Sequence, residues 1–217
     1  MAGHPQPDHN PQGTDPRPDR TEQGDDRAVA LLQIRLFGDP VLRERAAEVT
    51  EFDEWLARFG DDLLATMREA HGVGLAAPQV GVLKRVFAYD VPADEEEETP
   101  RAYGVLVNPE IIHREGEQEG LEGCLSFPGL YYDCTRALSV VVDAQDVAGR
   151  RLRVEGEGTL ARVFQHEIDH LDGVLFIDHL SRSDRKRAMR EWRERDLSLE
   201  APDARPHVHR SDIAKTL

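Results

Sequence analysis

The feature that most constrains this chain is QHEIDHL, residues 165–171, in which two histidines stand four residues apart. A helix turns about 100° per residue, so four steps bring His170 to within about 40° of His166 on one face. Both imidazoles can then reach one metal ion, with Glu167 beside them facing a bound water. The segment predicts a buried helix over Thr159–Leu171, stopped by Gly173, with apolar residues at Leu160, Val163, Phe164, Ile168 and Leu171.

This motif alone leaves the third metal ligand open. The extended metzincin form needs a histidine three residues after Gly173, where the sequence has Phe176. A downstream glutamate could be Glu191, but it lies in RKRAMREWRER, a run typical of a surface helix. Upstream, Cys124 in GLEGCLS is flanked by glycine and could approach a metal closely, although a lone cysteine is more often a small buried apolar residue. The alternative to a metal site is a solvent-facing helix that happens to carry two histidines.

Composition separates the two ends from one folded domain. Residues 1–28 hold five of the 13 prolines and no Val, Ile, Leu, Phe, Tyr or Trp. Such a segment cannot bury enough apolar surface to offset its ordering entropy, which predicts a disordered, acidic, proline-rich arm. We expect one domain over residues 29–196 and a flexible tail over 197–217.

The charge balance narrows the partners. Acidic residues outnumber basic ones by 42 to 27, a net charge of −15, which argues against nucleic acid or an anionic membrane as the main partner. No run of eighteen apolar residues and no secretory signal core is present, and two cysteines cannot form a disulfide framework. We therefore expect a cytoplasmic protein with no specific DNA partner and no membrane association.

Two more helices and several strands are predicted. One helix follows an N-cap at Thr50 and stops at Gly72, and the other, Ser183–Arg195, is strongly basic. Apolar runs predict strands over Arg85–Asp90, Tyr103–Val107, Glu110–Arg114, Leu138–Ala144 and Arg151–Glu155, the last two joined by a hairpin at Asp146–Arg150. Strands in hairpins with helices inserted between them favour an α+β fold.

Three motifs resemble, in the same order, the signatures of peptide deformylases: GVGLAAPQ at Gly72–Gln79, EGCLS at Glu122–Ser126 and QHEIDHLDG at Gln165–Gly173. GDPVLR at Gly38–Arg43 and NPEI at Asn108–Ile111 are also similar to that family. The resemblance covers about residues 34–180. It implies that residues 29–196 form a catalytic domain of antiparallel β-sheets around a central HExxH helix, with one N-terminal and one C-terminal helix.

The resemblance also implies an activity. Deformylases hydrolyse the N-formyl group of the initiator methionine in new polypeptides, releasing formate. The implied metal ligands are Cys124, His166 and His170, with water as the fourth. Glu167 would move the proton from that water to the leaving amine. The Gln79 side chain and the Leu125 backbone N–H would bind the carbonyl oxygen.

Further implications concern the substrate and the metal. The peptide would lie extended against Val73, Gly74 and Gly123, with Val163 as a wall of the methionine pocket. Glu122 and Arg136 could form an ion pair behind the site. We expect Fe²⁺, one per chain, with Zn²⁺, Ni²⁺ or Co²⁺ able to substitute.

Partners and rival functions complete these expectations. The formyl-Met nascent polypeptide is the expected partner, and the basic C-terminal helix is either a ribosome-docking surface, as in some deformylases, or a solvated face. The alternative functions are another HExxH metallo-amidase or peptidase and a non-catalytic deformylase-like binding module.

Overall fold

The computed structural model describes residues 29–93 and 100–199. The predicted arm at 1–28, the acidic loop at 94–98 and residues 200–217 of the predicted tail lie outside the described residues. In the described ranges no helix has both the length and the apolar character that crossing a membrane requires.

Two antiparallel sheets and three helices make up the described fold. The larger sheet has the strand order β1-β2-β3-β6-β7 and comprises β1 (Gly74–Ala76), β2 (Val86–Val91), β3 (Ala102–Glu115), β6 (Ser139–Gln145) and β7 (Arg151–Glu157). The smaller sheet pairs β4 (Gln118–Cys124) with β5 (Phe127–Arg136). The helices are α1 (Glu54–Glu69), α2 (Gly158–Leu171) and α3 (Arg182–Leu199). The predicted α+β class is confirmed.

Helix α1 begins later than predicted. Asp53, not Thr50, is the N-cap: its backbone is extended and its carboxylate accepts a hydrogen bond from the Leu56 N–H at 3.0 Å. An aspartate at this position satisfies a backbone donor that the helix itself leaves free. The helix ends before the predicted stop at Gly72, because His71 takes a left-handed conformation with φ 56°.

The strands were only partly predicted. The runs Tyr103–Val107 and Glu110–Arg114 belong to one strand, β3, whose register shifts at two bulges, and Asn108 has φ 49° at the first of them. Strands β1, β4 and β5 were missed. Strand β1 has only three residues, and β4 holds two glycines and one large apolar residue, whereas β5 alternates buried Leu130, Tyr132 and Cys134 with exposed residues, a period-2 signal that could have predicted it.

Helix α2 is the centre of the molecule, and its prediction is confirmed to within one residue. Val163, Phe164 and Leu171 are buried against the larger sheet, and the Phe164 ring meets Tyr89 edge-on at 5.1 Å. Gly173 ends the helix with φ 73°. A side chain at that position would collide with the Arg43 carbonyl oxygen at 2.6 Å, so glycine is required there for both reasons.

Helix α3 packs against the smaller sheet. It extends four residues beyond the predicted end at Arg195. Its Ala188 and Trp192 are buried, and the indole packs edge-on against Phe127 with ring centroids 5.3 Å apart. Most other side chains of α3 up to Arg195 are charged and exposed to solvent. Met189 also packs against this apolar cluster, Arg187 donates to the Tyr132 hydroxyl at 3.2 Å and Arg185 pairs with Asp178 at 3.0 Å, so apolar and polar contacts together hold the helix.

Candidate metal centre

Two elements meet at one group of ligand atoms. His166 and His170 lie one turn apart on α2 with ring centroids 4.9 Å apart, and Cys124 is the last residue of β4. One ligand atom from each of the three residues lies within 4.8 Å of the others, and Cys124 Sγ is 3.2 Å from His170 Nε2. Within the described ranges this is the one group of three or more such residues that could hold a metal ion.

The alternatives for the third ligand lie elsewhere. Phe176 is buried in a short 3-10 helix with its ring 6.4 Å from that of His166, and a phenyl ring offers no ligand atom. Glu191 lies on α3, outside the group formed by Cys124 and the two histidines. Of the three possibilities that the helical motif left open, Cys124 is the one that lies with the two histidines.

A buried carboxylate orients the first histidine. Glu122 is fully buried on β4, and its Oε1 lies 2.7 Å from His166 Nδ1. A histidine that donates Nδ1–H to a carboxylate has its Nε2 lone pair free for a metal. Burial favours the neutral imidazole, but Cys124 and Glu122 outweigh it and raise the pKa of His166. Burial and the neighbouring His166 lower the pKa of His170, so the two imidazoles are affected in opposite directions.

Two arginines hold Glu122 in place. Arg136 on β5 donates to Glu122 Oε1 at 2.6 Å and Oε2 at 3.0 Å, so the predicted ion pair is confirmed. Arg136 also donates to Asp169 at 2.6 Å. Burial by itself would raise the pKa of Glu122, but hydrogen bonds from His166 and Arg136 hold that pKa well below its usual range. The carboxylate therefore stays charged in the interior.

Sequence reasoning missed three members of this network. Arg162 on α2 donates to Glu122 Oε2 at 3.1 Å, and His179 contacts Asp169 at 2.7 Å. Arg162 and Asp169 stand four residues before and three residues after His166, so helical spacing could have placed them on the same side. For His179 no signal in the sequence was available.

Removing the Arg136 guanidinium should be costly for stability. Arg136→Met leaves Glu122 and Asp169 without a shared cation, and breaking a buried ion pair from one side costs about 3–5 kcal/mol. We expect the free energy of unfolding, measured by urea denaturation, to fall by that order. Arg153→Met removes an exposed partner of Asp143 and is the control expected to change little. Normal stability in Arg136→Met would contradict the assigned role.

Two buried polar atoms in the centre have no hydrogen-bond partner in the described part of the chain. They are Glu167 Oε2 and His170 Nδ1. Glu167 is 3% exposed, and burial raises its pKa to about 7. Burying a carboxylate oxygen without a hydrogen-bond partner costs free energy, and groups of this kind are found mostly at functional sites. We therefore expect Glu167 to act on a molecule bound in the centre.

Gln79 reaches the same place from the 3-10 helix that follows β1. Its Oε1 accepts from the Ala76 N–H at 2.8 Å, which fixes the amide, and its Nε2 points to Cys124 Sγ at 3.4 Å and Ser126 Oγ at 3.2 Å. The Leu125 backbone follows Cys124 directly, and the Leu125 side chain lies against Gly72. The Gln79 amide thus contacts the thiol, and Leu125 is the next residue in the chain after Cys124.

The four predicted substrate residues lie in different places: Gly74 beside Glu167, Val73 next to it in the chain, Gly123 before Cys124 and Val163 in the core. At Gly74 a Cβ would lie 2.2 Å from Glu167 Oε1, and at Gly123 it would lie 2.4 Å from the Tyr131 ring, so both positions require glycine. Val73 is half-buried beside Gly74, and its carbonyl accepts from the Asp90 N–H at 2.9 Å. Val163 is 2% exposed in the core beneath the sheet.

The residues present fit a bound metal ion. A thiol and two imidazoles are the ligand set of first-row divalent metals, and three protein ligands leave a position open for substrate. The unpartnered carboxylate of Glu167 beside that position completes the arrangement. Fold and centre together indicate a metal-dependent hydrolase.

Comparison with known proteins narrows the class. A family model described as polypeptide deformylase matches residues 31–186. A peptide deformylase from Thermomicrobium roseum is 50% identical over 153 residues, which are 70% of this chain and 87% of the relative. One from Acidothermus cellulolyticus is 51% identical over 166 residues, or 76% and 88% of the two chains. The crystal structure of a peptide deformylase from Legionella pneumophila matches with a TM-score of 0.72 and 42% identity, covering 80% of this chain and 100% of that one.

The chain belongs to the polypeptide deformylase family. The match spans both sheets and α2, and ends within α3, so the predicted family fold is confirmed. The family is metal-dependent, in agreement with the Cys/His group.

Proposed function

We propose that Cys124, His166 and His170 hold the metal and that Glu167, Gln79 and Leu125 carry the reaction. As a family member this chain is a hydrolase that removes the N-formyl group from formyl-Met nascent polypeptides. The observation that carries the residue assignment is the unpartnered Glu167 carboxylate, buried next to the only three-ligand group in the described ranges.

Glu167 is the proton carrier. A metal ion held by Cys124, His166 and His170 would supply Lewis-acid activation of water and of the formyl carbonyl. Glu167 accepts a proton as the water oxygen attacks the formyl carbon, and donates it to the nitrogen as the C–N bond breaks. Formate and a free amine result. The raised pKa of Glu167, about 7, lets one carboxyl do both at neutral pH.

Gln79 and Leu125 stabilise the oxygen on which negative charge develops. The amide of Gln79 is held by the Ala76 N–H, so its Nε2 is aimed before substrate arrives. The backbone N–H of Leu125, the residue that follows Cys124, would be the second donor. Such a donor contributes about 3–4 kcal/mol to transition-state stabilisation when it is fixed in advance.

Val73, Gly74 and Gly123 receive the peptide backbone. Strand β1 ends the larger sheet, so its outer edge can pair with an extended peptide. At Gly74 the space that a Cβ would fill is taken by the Glu167 carboxylate, which therefore lies beside the strand that would bind the peptide. Val163 forms a wall of the methionine pocket from beneath.

The proposed metal is Fe²⁺, one per chain. A mixed sulfur and nitrogen set also accepts Zn²⁺, Ni²⁺ or Co²⁺, which would substitute in purified protein. The proposed setting is the cytoplasm, where a free Cys124 thiol stays reduced.

Formate release from a short formyl-Met peptide, with protein prepared anaerobically with Fe²⁺, is the test. Release that depends on the metal supports the assignment. Folded, metal-loaded protein that releases no formate would point to another amidase or to a binding module, the two alternatives that family membership disfavours.

We further propose that α3 docks on the ribosome through its exposed basic residues. Ala188 and Trp192 anchor the helix, which leaves Lys186, Arg190 and Arg193 on the outside. The triple variant K186E/R190E/R193E is expected to lose salt-sensitive co-sedimentation with ribosomes while keeping formate release, because the anchoring residues are intact. Unchanged co-sedimentation would leave α3 as a solvated face.

A further inference from the structure

A buried arginine on the metal-binding helix reaches into the smaller sheet. Arg162 is 3% exposed. Its Nη1 donates to Glu122 Oε2 at 3.1 Å and to the Cys134 carbonyl oxygen at 2.9 Å. Glu122 lies on β4 and Cys134 on β5, so one side chain from α2 binds both strands of that sheet.

The sheet leaves room for this contact at one position. A Cβ at Gly120 would lie 3.3 Å from Arg162 Nη2, tighter than an ordinary contact. Gly120 pairs with Cys134 across β4 and β5. The guanidinium therefore lies against the glycine while it binds the carbonyl of the paired residue, and a larger side chain at Gly120 would push it away.

This contact joins the two halves of the metal centre. The histidines come from α2, whereas Cys124 comes from β4, so the ligand geometry depends on how these elements are held together. Arg136 ties β5 back to α2 through Asp169. Arg162 connects α2 to β4 and β5 through its hydrogen bonds. It is also the second cation bound to Glu122, the carboxylate that orients His166.

We propose that Arg162 is a positioning residue for the metal centre. It holds α2 against β4 and β5 so that Cys124 and the histidines stay at ligand distance, and it keeps Glu122 aimed at His166 Nδ1. Its Nη1 donates to a carboxylate and a carbonyl at once while Nη2 lies against Gly120, and the compact ammonium of a lysine would not fill the same volume. The inference rests on the proposed function in taking Cys124, His166 and His170 as the metal ligands.

The test is the rate at which Co²⁺-loaded protein loses its metal to excess chelator, with the visible Co²⁺ absorption as a second readout. We expect Arg162→Met to release Co²⁺ about 10–100-fold faster than the parent, since outer partners of ligands have effects of that size. The absorption bands should shift as the ligand geometry relaxes. In steady-state kinetics kcat should fall while KM for the formyl-Met peptide stays near the parental value.

Two further variants keep the result interpretable. Arg162→Lys retains the buried charge, so it should fold even if Arg162→Met does not, and we expect it to release Co²⁺ at an intermediate rate. Arg85→Met is the matched control. Arg85 is a largely buried arginine that binds Asp172 at 2.7 Å beyond the end of α2 and does not touch Glu122. Its loss should lower stability and leave Co²⁺ release unchanged.

Three outcomes would overturn the proposal. Parental Co²⁺ release in the folded Arg162 variants would do so directly. Equally fast release from Arg85→Met would mean that any loosening of α2 has the same effect. A raised KM with parental Co²⁺ release would place Arg162 in the substrate pocket instead. A parent that binds no Co²⁺ would contradict the ligand assignment itself, which is a separate failure.

Discussion

Replacing Glu167 by glutamine is expected to lower kcat for formate release by about 10²–10⁴-fold, the usual contribution of a positioned proton carrier. Glutamine has the same shape but cannot accept and return a proton. Metal content should stay at the parental value, because Glu167 is outside the Cys124–His166–His170 ligand group. Formate release and metal stoichiometry measured on the same preparations check both expectations.

The Glu167→Gln protein should also melt no lower than the parent. Glu167 Oε2 has no hydrogen-bond partner in the described part of the chain, so the substitution breaks no contact there and removes a buried charge. Glu155→Gln on β7, where the side chain is exposed, is the matched control and should be neutral in both assays. Parental activity in Glu167→Gln would remove the glutamate from the mechanism.

Replacing Cys124 by alanine should abolish stable metal binding. Loss of even an outer partner weakens metal affinity by about 10–100-fold, so loss of one of three protein ligands should exceed that range. Activity is expected to fall with the metal. Metal stoichiometry after stripping with chelator and reloading is the measurement.

The second cysteine provides the control for this experiment. Cys134 is 2% exposed, and burial raises the pKa of its thiol to about 12, so at neutral pH it is protonated and cannot take the place of Cys124. Cys134→Ala should therefore bind one metal per chain. If Cys124→Ala also binds one metal per chain, the third ligand is another residue.

Much of the centre was predictable from local pattern. The helical period alone places His166 and His170 on one face with Glu167 beside them, and Gly173 marks the helix end because its backbone is left-handed. The resemblance added Cys124, Gln79 and the Glu122–Arg136 pair, since short motifs kept in order indicate one shared site. The structure brings the cysteine, the glutamine and the pair together as implied.

Other elements were beyond local pattern for identifiable reasons. Strand β4 has little alternation of apolar residues and depends on pairing with β5, whose own alternation of buried and exposed residues was a usable signal. The cap at Asp53 replaced Thr50 because the chain direction before α1 decides which side chain meets the free N–H groups. Arg162 looks on sequence like any charged residue of a helix, and its burial depends on contacts with Glu122, Cys134 and Gly120 that are distant in the chain.

The sequence by itself determined the chemistry of α2: two imidazoles and a carboxylate on one buried turn, which a helix imposes on residues three and four apart. Only the tertiary structure decided which residue completes the centre. Cys124 and His170 are 46 residues apart in the chain and 3.2 Å apart in space. Contacts of that kind depend on the packing of β4 against α2, through Glu122 and its two arginines, and no local period encodes them.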